Sequence, residues 1–203
     1  HEDAIVFAGN TMIDTLLSNV DRLRPPDAWT DLSLRPGRYL LLTLHRPSNV
    51  DDVATLRDRL VLLARSAEGN PIVFPAHPRT ASKLAAIEDL PGNLHVISPQ
   101  PYLEFTYLVK HAVGVVTDSG GLTEETTALG VPCLTLRTTT ERPETVRVGT
   151  NELALGDPEQ IQSLVRRMLD GGWKTGAIHE RWDRQAGRRV VDGLRGFLTE
   201  RVV

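Results

Sequence analysis

The chain has 203 residues, a net charge of −3 and one cysteine. With 40% hydrophobic and 24% charged residues it has ordinary globular composition, enough for one sizeable α/β domain or two small ones. The acidic balance argues against a nucleic-acid partner, the lone Cys133 leaves no disulfide framework and no cysteine metal site, and no apolar run approaches the ~18 residues of a membrane-spanning helix.

His1-Glu2-Asp3 opens without methionine and leads directly into an apolar segment, as in a chain cut from something longer. Short apolar runs then recur along the sequence: Ile5–Ala8, Tyr39–Leu44, Ile72–Pro75, Leu94–Ile97, Val113–Thr117, Pro132–Leu136 and Glu152–Leu155. They lack strict alternation, as expected of strands covered on both faces. Asn19–Gly37, rich in Pro and Arg, reads as a connector. Between the strands lie amphipathic segments. Val53, Leu56, Leu60, Leu63 and Ala64 mark one helical face; Ile161, Leu164, Val165, Met168 and Leu169 mark another, which Asp157-Pro158-Glu159-Gln160 starts with an N-cap, a Pro at N1 and a capping-box-like Gln. Gly171–Gly176 breaks the pattern before a terminal helix, Ile178–Thr199, carrying Trp182, Ala186, Val190, Leu194 and Phe197 at helical spacing. The β–α alternation implies a Rossmann-like parallel sheet flanked by helices, here residues 1–177, with 178–203 as a helical arm of the same domain.

In such sheets ligands bind at the carboxyl ends of the strands, and those ends carry the chemistry. Asp118-Ser119-Gly120-Gly121-Leu122-Thr123-Glu124-Glu125 follows the fifth run and reads as a turn into a helix. Its glycines let backbone N–H groups approach an anion, and a carboxylate one turn on can accept from a pair of hydroxyls; only one of Glu124 and Glu125 can face the cleft. The plain alternative is a strand–helix turn with Ser119 as N-cap. The other run ends supply Gly9-Asn10-Thr11, His45-Arg46-Pro47, Ala76-His77-Pro78-Arg79, Ser98-Pro99-Gln100-Pro101-Tyr102 and Arg137–Glu144. Such a set of donors at one edge suits phosphate. His45 alone would read as a loop histidine; beside Arg46 and opposite the Ser-Gly-Gly turn it reads as a diphosphate contact. His77-Pro78 reads equally as a turn former. Glu141 and Arg142 could be a surface pair, but Arg142 looks placed to stabilise a leaving diphosphate. Phe105 is core by default, or packs on a base. There is neither a GxGxxG nor a P-loop motif, and neither histidine has a carboxylate at a metal-ligand spacing.

Together, Ala8–Asp14, Leu42-Thr-Leu-His-Arg-Pro47, Pro75-Ala-His-Pro78, Pro99–Phe105, Thr117–Glu125 and Arg137–Glu144 resemble, in order, the C-terminal half of the non-hydrolysing UDP-N-acetylglucosamine 2-epimerases. The resemblance spans nearly the whole chain. It implies the C-terminal half of a two-domain GT-B fold and a cytoplasmic enzyme of cell-envelope polysaccharide biosynthesis that inverts C2 of UDP-GlcNAc to give UDP-ManNAc. The reaction proceeds by elimination of UDP to a glycal and re-addition, without metal or redox cofactor. By motif, Ser119, Gly120 and Gly121 would hold the diphosphate and Glu125 the ribose hydroxyls. Gln100 and Phe105 would flank the uracil, and His45 and Arg142 would contact the phosphates and help UDP depart. Arg46 and His77 would line a second, allosteric UDP-sugar site. Ser48 and Thr123 depart from the family's usual Glu and Gln. The acid/base carboxylates belong to an N-terminal domain that these residues do not include. The chain alone is therefore expected to bind UDP weakly and not to epimerise, and its full-length parent to be a homodimer. A GT-B glycosyltransferase donor domain, a non-catalytic UDP-sugar sensing module and a hydrolysing relative remain as alternatives.

Overall fold

The computed structural model describes residues 5–154 and 156–200. In chain order its helices and strands are α1 (Thr11–Asn19), α2 (Asp27–Asp31), β1 (Leu40–Thr43), α3 (Pro47–Val50), α4 (Val53–Ser66), β2 (Ile72–Pro75), α5 (Pro78–Leu84), β3 (Leu94–Ile97), α6 (Tyr102–His111), β4 (Gly114–Thr117), α7 (Gly120–Leu129), β5 (Cys133–Thr135), α8 (Pro143–Arg147), β6 (Asn151–Leu153), α9 (Pro158–Leu169) and α10 (Ala186–Glu200). The six strands form one parallel sheet in the order β3-β2-β1-β4-β5-β6. The strand order reverses between β1 and β4, which run in full register from Leu40 opposite Gly114 to Thr43 opposite Thr117. That reversal opens a crevice at the carboxyl ends of these two strands.

Alternate residues of each strand face opposite layers. Leu40, Leu42, Phe74, Val116 and Leu134 pack under α4 and α9 with Leu56, Leu60, Leu63, Val165 and Met168. Leu41, Val73 and Val115 face the other layer with Tyr39, Leu108, Val109 and Leu122. Capping sets the helix boundaries. Asp52 and Asp157 accept hydrogen bonds from the first turns of α4 and α9, and α7 stops at Gly130, whose φ of +70° suits the left-handed cap. Among the described residues no helix is long and apolar enough to cross a membrane.

Four expectations need correction. Ile5–Ala8 is not a strand: it lies beside no sheet edge, Ile5 is 78% exposed, and the Phe7 and Ala8 carbonyls accept from the Arg181 and Arg189 guanidiniums instead. The terminal helix begins at Ala186, not Ile178. Before it the chain turns through Arg181 and Arg184, with φ of +61° and +66°, so Trp182 lies in a turn and packs on Ile13 and Leu16 of α1. The Asn19–Gly37 connector contains α2, whose Trp29 meets Tyr39, Tyr107 and His111 edge-on. The strand expected over Glu152–Leu155 is β6, starting one residue earlier; Leu155 lies outside the described residues, as do His1–Ala4 and 201–203.

Gly9 joins the N-terminal segment to this arm. Its φ is +101°, and a Cβ there would sit 2.4 Å from the Arg181 carbonyl oxygen. Gly9→Ala is therefore expected to cost about 1–3 kcal/mol, read as a lower melting temperature; an unchanged melt would mean that the segment contributes nothing to stability.

Candidate functional site at the β1–β4 crevice

Thr43 and Thr117, the last residues of β1 and β4, share a hydroxyl–hydroxyl bond of 2.6 Å. Beyond them the chain leaves β1 through His45 and Arg46, and leaves β4 through Asp118 into α7. Asp118 is fully buried and ties the two exits together. Its carboxylate accepts from the His45 N–H (3.1 and 3.2 Å), the Arg46 N–H (2.9 Å) and Asn49 Nδ2 (2.8 Å), and His45 Nδ1 lies 2.8 Å from Oδ1. The Arg46 Nε donates to the Asp118 carbonyl at 3.0 Å.

Ser119 stands at the N-cap of α7, yet its side chain makes no capping bond; its N–H donates instead to Thr117 Oγ1 at 3.0 Å. Its hydroxyl and the first N–H groups of α7 are thus available to an anion. Gly121 keeps this end of the helix low: a Cβ there would lie 3.1 Å from the Met12 methyl. Met12, Thr43, His45, Phe105, Ser119, Gly121, Leu122 and Glu125 line one open cavity of about 280 Å³.

Helix geometry separates the two glutamates. Glu125 turns toward this cavity, 9% exposed, and accepts from the Tyr102 hydroxyl at 3.3 Å. Burial pushes its carboxyl above the ordinary value, only partly opposed by the Tyr102 hydrogen bond. Glu124 turns away. It accepts from Asn10 Nδ2 at 2.8 Å and forms an ion pair with the Arg142 Nε at 2.9 Å whose alignment falls short of a hydrogen bond. Burial again raises its carboxyl, and the Arg142 charge offsets this only in part.

His45, Phe105, Ser119, Gly121 and Glu125 are therefore brought together, with Gly120 beside them at the start of α7. The other candidates stand apart. Arg142 lines a neighbouring cavity of about 530 Å³ with Asn10, Glu124 and Glu144; Met12 lines both cavities. Gln100 Nε2 donates to the Ser98 carbonyl of its own loop at 2.7 Å. Arg46 lines a third cavity, about 400 Å³, with Arg59 and Arg137. His77 caps α5, accepting from the Arg79 N–H at 3.3 Å, and does not line the cavity that holds Arg46. Glu141 pairs with Arg137 at 2.6 Å and faces Arg46 at 3.8 Å, rather than pairing with Arg142; these guanidiniums hold its carboxyl down at about 2. Sequence reasoning passed over Asp118 as a residue with a role of its own; its place immediately before the Ser-Gly-Gly turn was the available signal. Among the described residues no cluster of three or more His, Cys, Asp or Glu is placed to hold a metal.

A sequence model of the family described as UDP-N-acetylglucosamine 2-epimerase matches residues 1–195. The UDP-N-acetylglucosamine 2-epimerase of Methanococcus maripaludis is 41% identical over 83% of this chain and 49% of its own length. That of Methanocaldococcus jannaschii is 38% identical over 85% and 50%. The chain thus spans about half the length of these curated relatives. The M. jannaschii enzyme solved in complex with UDP-GlcNAc and UDP superposes with a TM-score of 0.78 at 35% identity, covering 96% of this chain and 56% of that one. The Neisseria meningitidis enzyme bound to UDP-GlcNAc gives 0.77 at 26% identity, covering 97% and 56%. The Escherichia coli ADP-heptose heptosyltransferase II, at 12% identity and a TM-score of 0.51, shares the fold alone. With a family model that matches residues 1–195 and relatives 41% and 38% identical over more than four fifths of it, this chain belongs to the UDP-N-acetylglucosamine 2-epimerase family.

Proposed function

We propose that the chain is the UDP-binding half of a non-hydrolysing UDP-GlcNAc 2-epimerase with a two-domain GT-B fold. The observation that carries this reading is one cavity at the strand-order reversal that joins an anion-ready helix start, a histidine, an aromatic ring and a buried carboxylate. The diphosphate lies against Ser119, Gly120 and Gly121, where free N–H groups and a hydroxyl meet it. His45 supplies a further donor. Glu125 accepts the ribose hydroxyls, and Phe105 packs on the base. For Arg142 and Gln100 to reach the nucleotide, each must leave its present partner, Glu124 or the Ser98 carbonyl. Arg46 and His77, by the same token, must be bridged by the ligand or by the other domain to form a second UDP-sugar site.

In the proposed reaction the C2 proton leaves the sugar while the C1–oxygen bond to UDP breaks; the resulting glycal takes UDP back after a proton is delivered to the opposite face. No net redox change occurs, so the chemistry calls for no redox cofactor. This half holds the leaving group. Its positive and N–H donors are worth most where water is excluded, and the proton-moving carboxylates come from an N-terminal domain that closes the crevice. The natural setting is a cytoplasmic, homodimeric full-length enzyme supplying UDP-ManNAc to cell-envelope polysaccharides.

Calorimetric titration with UDP, alongside an assay of UDP-ManNAc formation from UDP-GlcNAc, tests both parts. The chain is expected to bind UDP weakly and to form no UDP-ManNAc, since positioned acid/base groups worth about 10²–10⁴-fold are missing. No heat of binding at millimolar UDP sinks the site; turnover by the chain alone at the rate of a full-length relative sinks the division of labour.

A further inference from the structure

The Asp118 carboxylate faces more donors than a loop tether needs. Oδ2 takes the Arg46 N–H and Asn49 Nδ2, and shares the His45 N–H with Oδ1. What remains on Oδ1 is the contact with His45 Nδ1, at 2.8 Å. The alignment falls short of a full hydrogen bond, but two lone pairs repel at that distance, so the carboxylate favours a proton on Nδ1. Asp118 is 0% exposed, whereas the His45 side chain is 57% exposed. The buried carboxylate therefore holds one edge of the ring and leaves Nε2 on its open edge, beside the cavity that His45 lines.

We propose that Asp118 is a positioning residue that locks His45 as the Nδ1–H tautomer, so that Nε2 donates to an anion in the crevice only as the imidazolium. The inference rests on the nucleotide reading for the identity of that anion, but not for the tautomer. With Nδ1–H fixed, a neutral His45 presents a bare lone pair to the diphosphate, which repels it. Binding then takes up a proton, and the ring holds that proton on the face where a departing phosphate oxygen needs it. The other charged or titratable groups around this end of the crevice are Arg46, its neighbour in the chain, Glu125 of α7 across the cavity with Tyr102 of α6 behind it, and the pair Arg137 and Glu141, which would lie 4.0 and 3.6 Å from a Cβ on Gly120 at the start of α7. Thr43 of β1 and Met12 of α1, both uncharged, line the same cavity as the ring. Glu124 and Arg142 face the separate cavity beyond Met12.

Asp118→Asn tests this with little change of shape. The amide oxygen can accept from the backbone N–H groups and Asn49. The amide NH₂ then faces Nδ1 and must find a lone pair there, which moves the neutral proton to Nε2. Ring ¹⁵N spectra of the histidine-labelled chain, with His45 assigned by its loss in His45→Gln, report the tautomer directly. The wild type is expected to show the neutral-state proton on Nδ1, and Asp118→Asn to show it on Nε2. UDP-GlcNAc is the probe for linkage, because its diphosphate diester does not itself titrate near neutral pH. Wild-type affinity is expected to rise by up to about tenfold per unit of falling pH where binding takes up one proton, and Asp118→Asn to lose that slope; Glu125 is present in both chains and cancels in the comparison. A wild-type His45 with its neutral proton on Nε2 overturns the proposal even if the variant fails to fold. So does an Asp118→Asn chain that keeps the proton on Nδ1, or one that keeps the full pH slope. If the wild type binds no UDP-GlcNAc, the nucleotide reading falls, and the tautomer spectra still decide the role of Asp118.

Discussion

Glu125→Gln is expected to weaken UDP binding by about tenfold to 150-fold, the loss of hydrogen bonds to a charged acceptor, and at the same time to stabilise the free chain. Both effects come from one buried carboxylate. Glu125 is 9% exposed and among the described residues accepts from the Tyr102 hydroxyl at 3.3 Å, with Glu124 adding like charge from the adjacent position. Burial raises its carboxyl above the ordinary 4.5. A raised acid binds protons more tightly in the folded state than in the unfolded one. Its contribution to stability is thus complete below pH 4.5 and is lost as pH rises through the folded value. At neutral pH the free chain therefore carries the cost of an under-partnered charge, which two ribose hydroxyls would relieve. Gln keeps the shape and an acceptor for Tyr102 but removes the charge. Stability should rise by about 0.5–2 kcal/mol, the usual scale for relieving strain at a functional site. Thermal melts with and without UDP measure both quantities on one sample. A variant that binds UDP as well as the wild type would remove Glu125 from the site; one that melts lower would show that the carboxylate has partners beyond Tyr102.

The local features of this chain could be read from residues alone, and the long-range ones could not. Buried parallel strands appear as short apolar runs, so β1 through β6 were visible within a residue or two, and Asp157-Pro158 announced α9 through capping chemistry that needs no tertiary partner. Ile5–Ala8 has the same composition as those strands, but a strand also needs a neighbouring edge, and that is decided elsewhere in the chain. Trp182 keeps the spacing of the α10 face, yet Arg181 and Arg184 take positive φ and hold it outside the helix. The crevice was legible to the extent that strand ends in a parallel sheet converge, which gathers His45, Ser119 and Glu125. The side-chain pairings were not. Arg142 goes to Glu124, and Glu141 to Arg137, because the turns after β4 and β5 set distances that no spacing along the chain encodes. Asp118 is the sharpest case. Its partners lie 69 to 73 residues away, and its role follows from the register between β1 and β4.

That register makes Asp118→Ala the most destabilising of these substitutions, with an expected loss of about 3–5 kcal/mol. Truncation leaves the His45 and Arg46 N–H groups and Asn49 Nδ2 facing a cavity, each losing a charged acceptor. A buried donor left unpaired costs about 1–3 kcal/mol, and water entering the space offsets part of the sum. Asn in the same place keeps the acceptor, so Asp118→Asn should lose far less, and the gap between the two variants isolates hydrogen bonding from charge. Urea titration reads this as a drop in midpoint at constant slope. A loss below about 1 kcal/mol for Asp118→Ala would mean that the loop after β1 repairs itself without the carboxylate. The consequence for binding follows from position. His45 leaves β1 on one side of the crevice and Ser119 enters α7 on the other, and Asp118 is bonded to the first and adjacent in the chain to the second. Loosening it widens the gap between the two groups that the proposed site brings to one diphosphate, so UDP affinity should fall in Asp118→Ala even though the residue itself does not line the cavity.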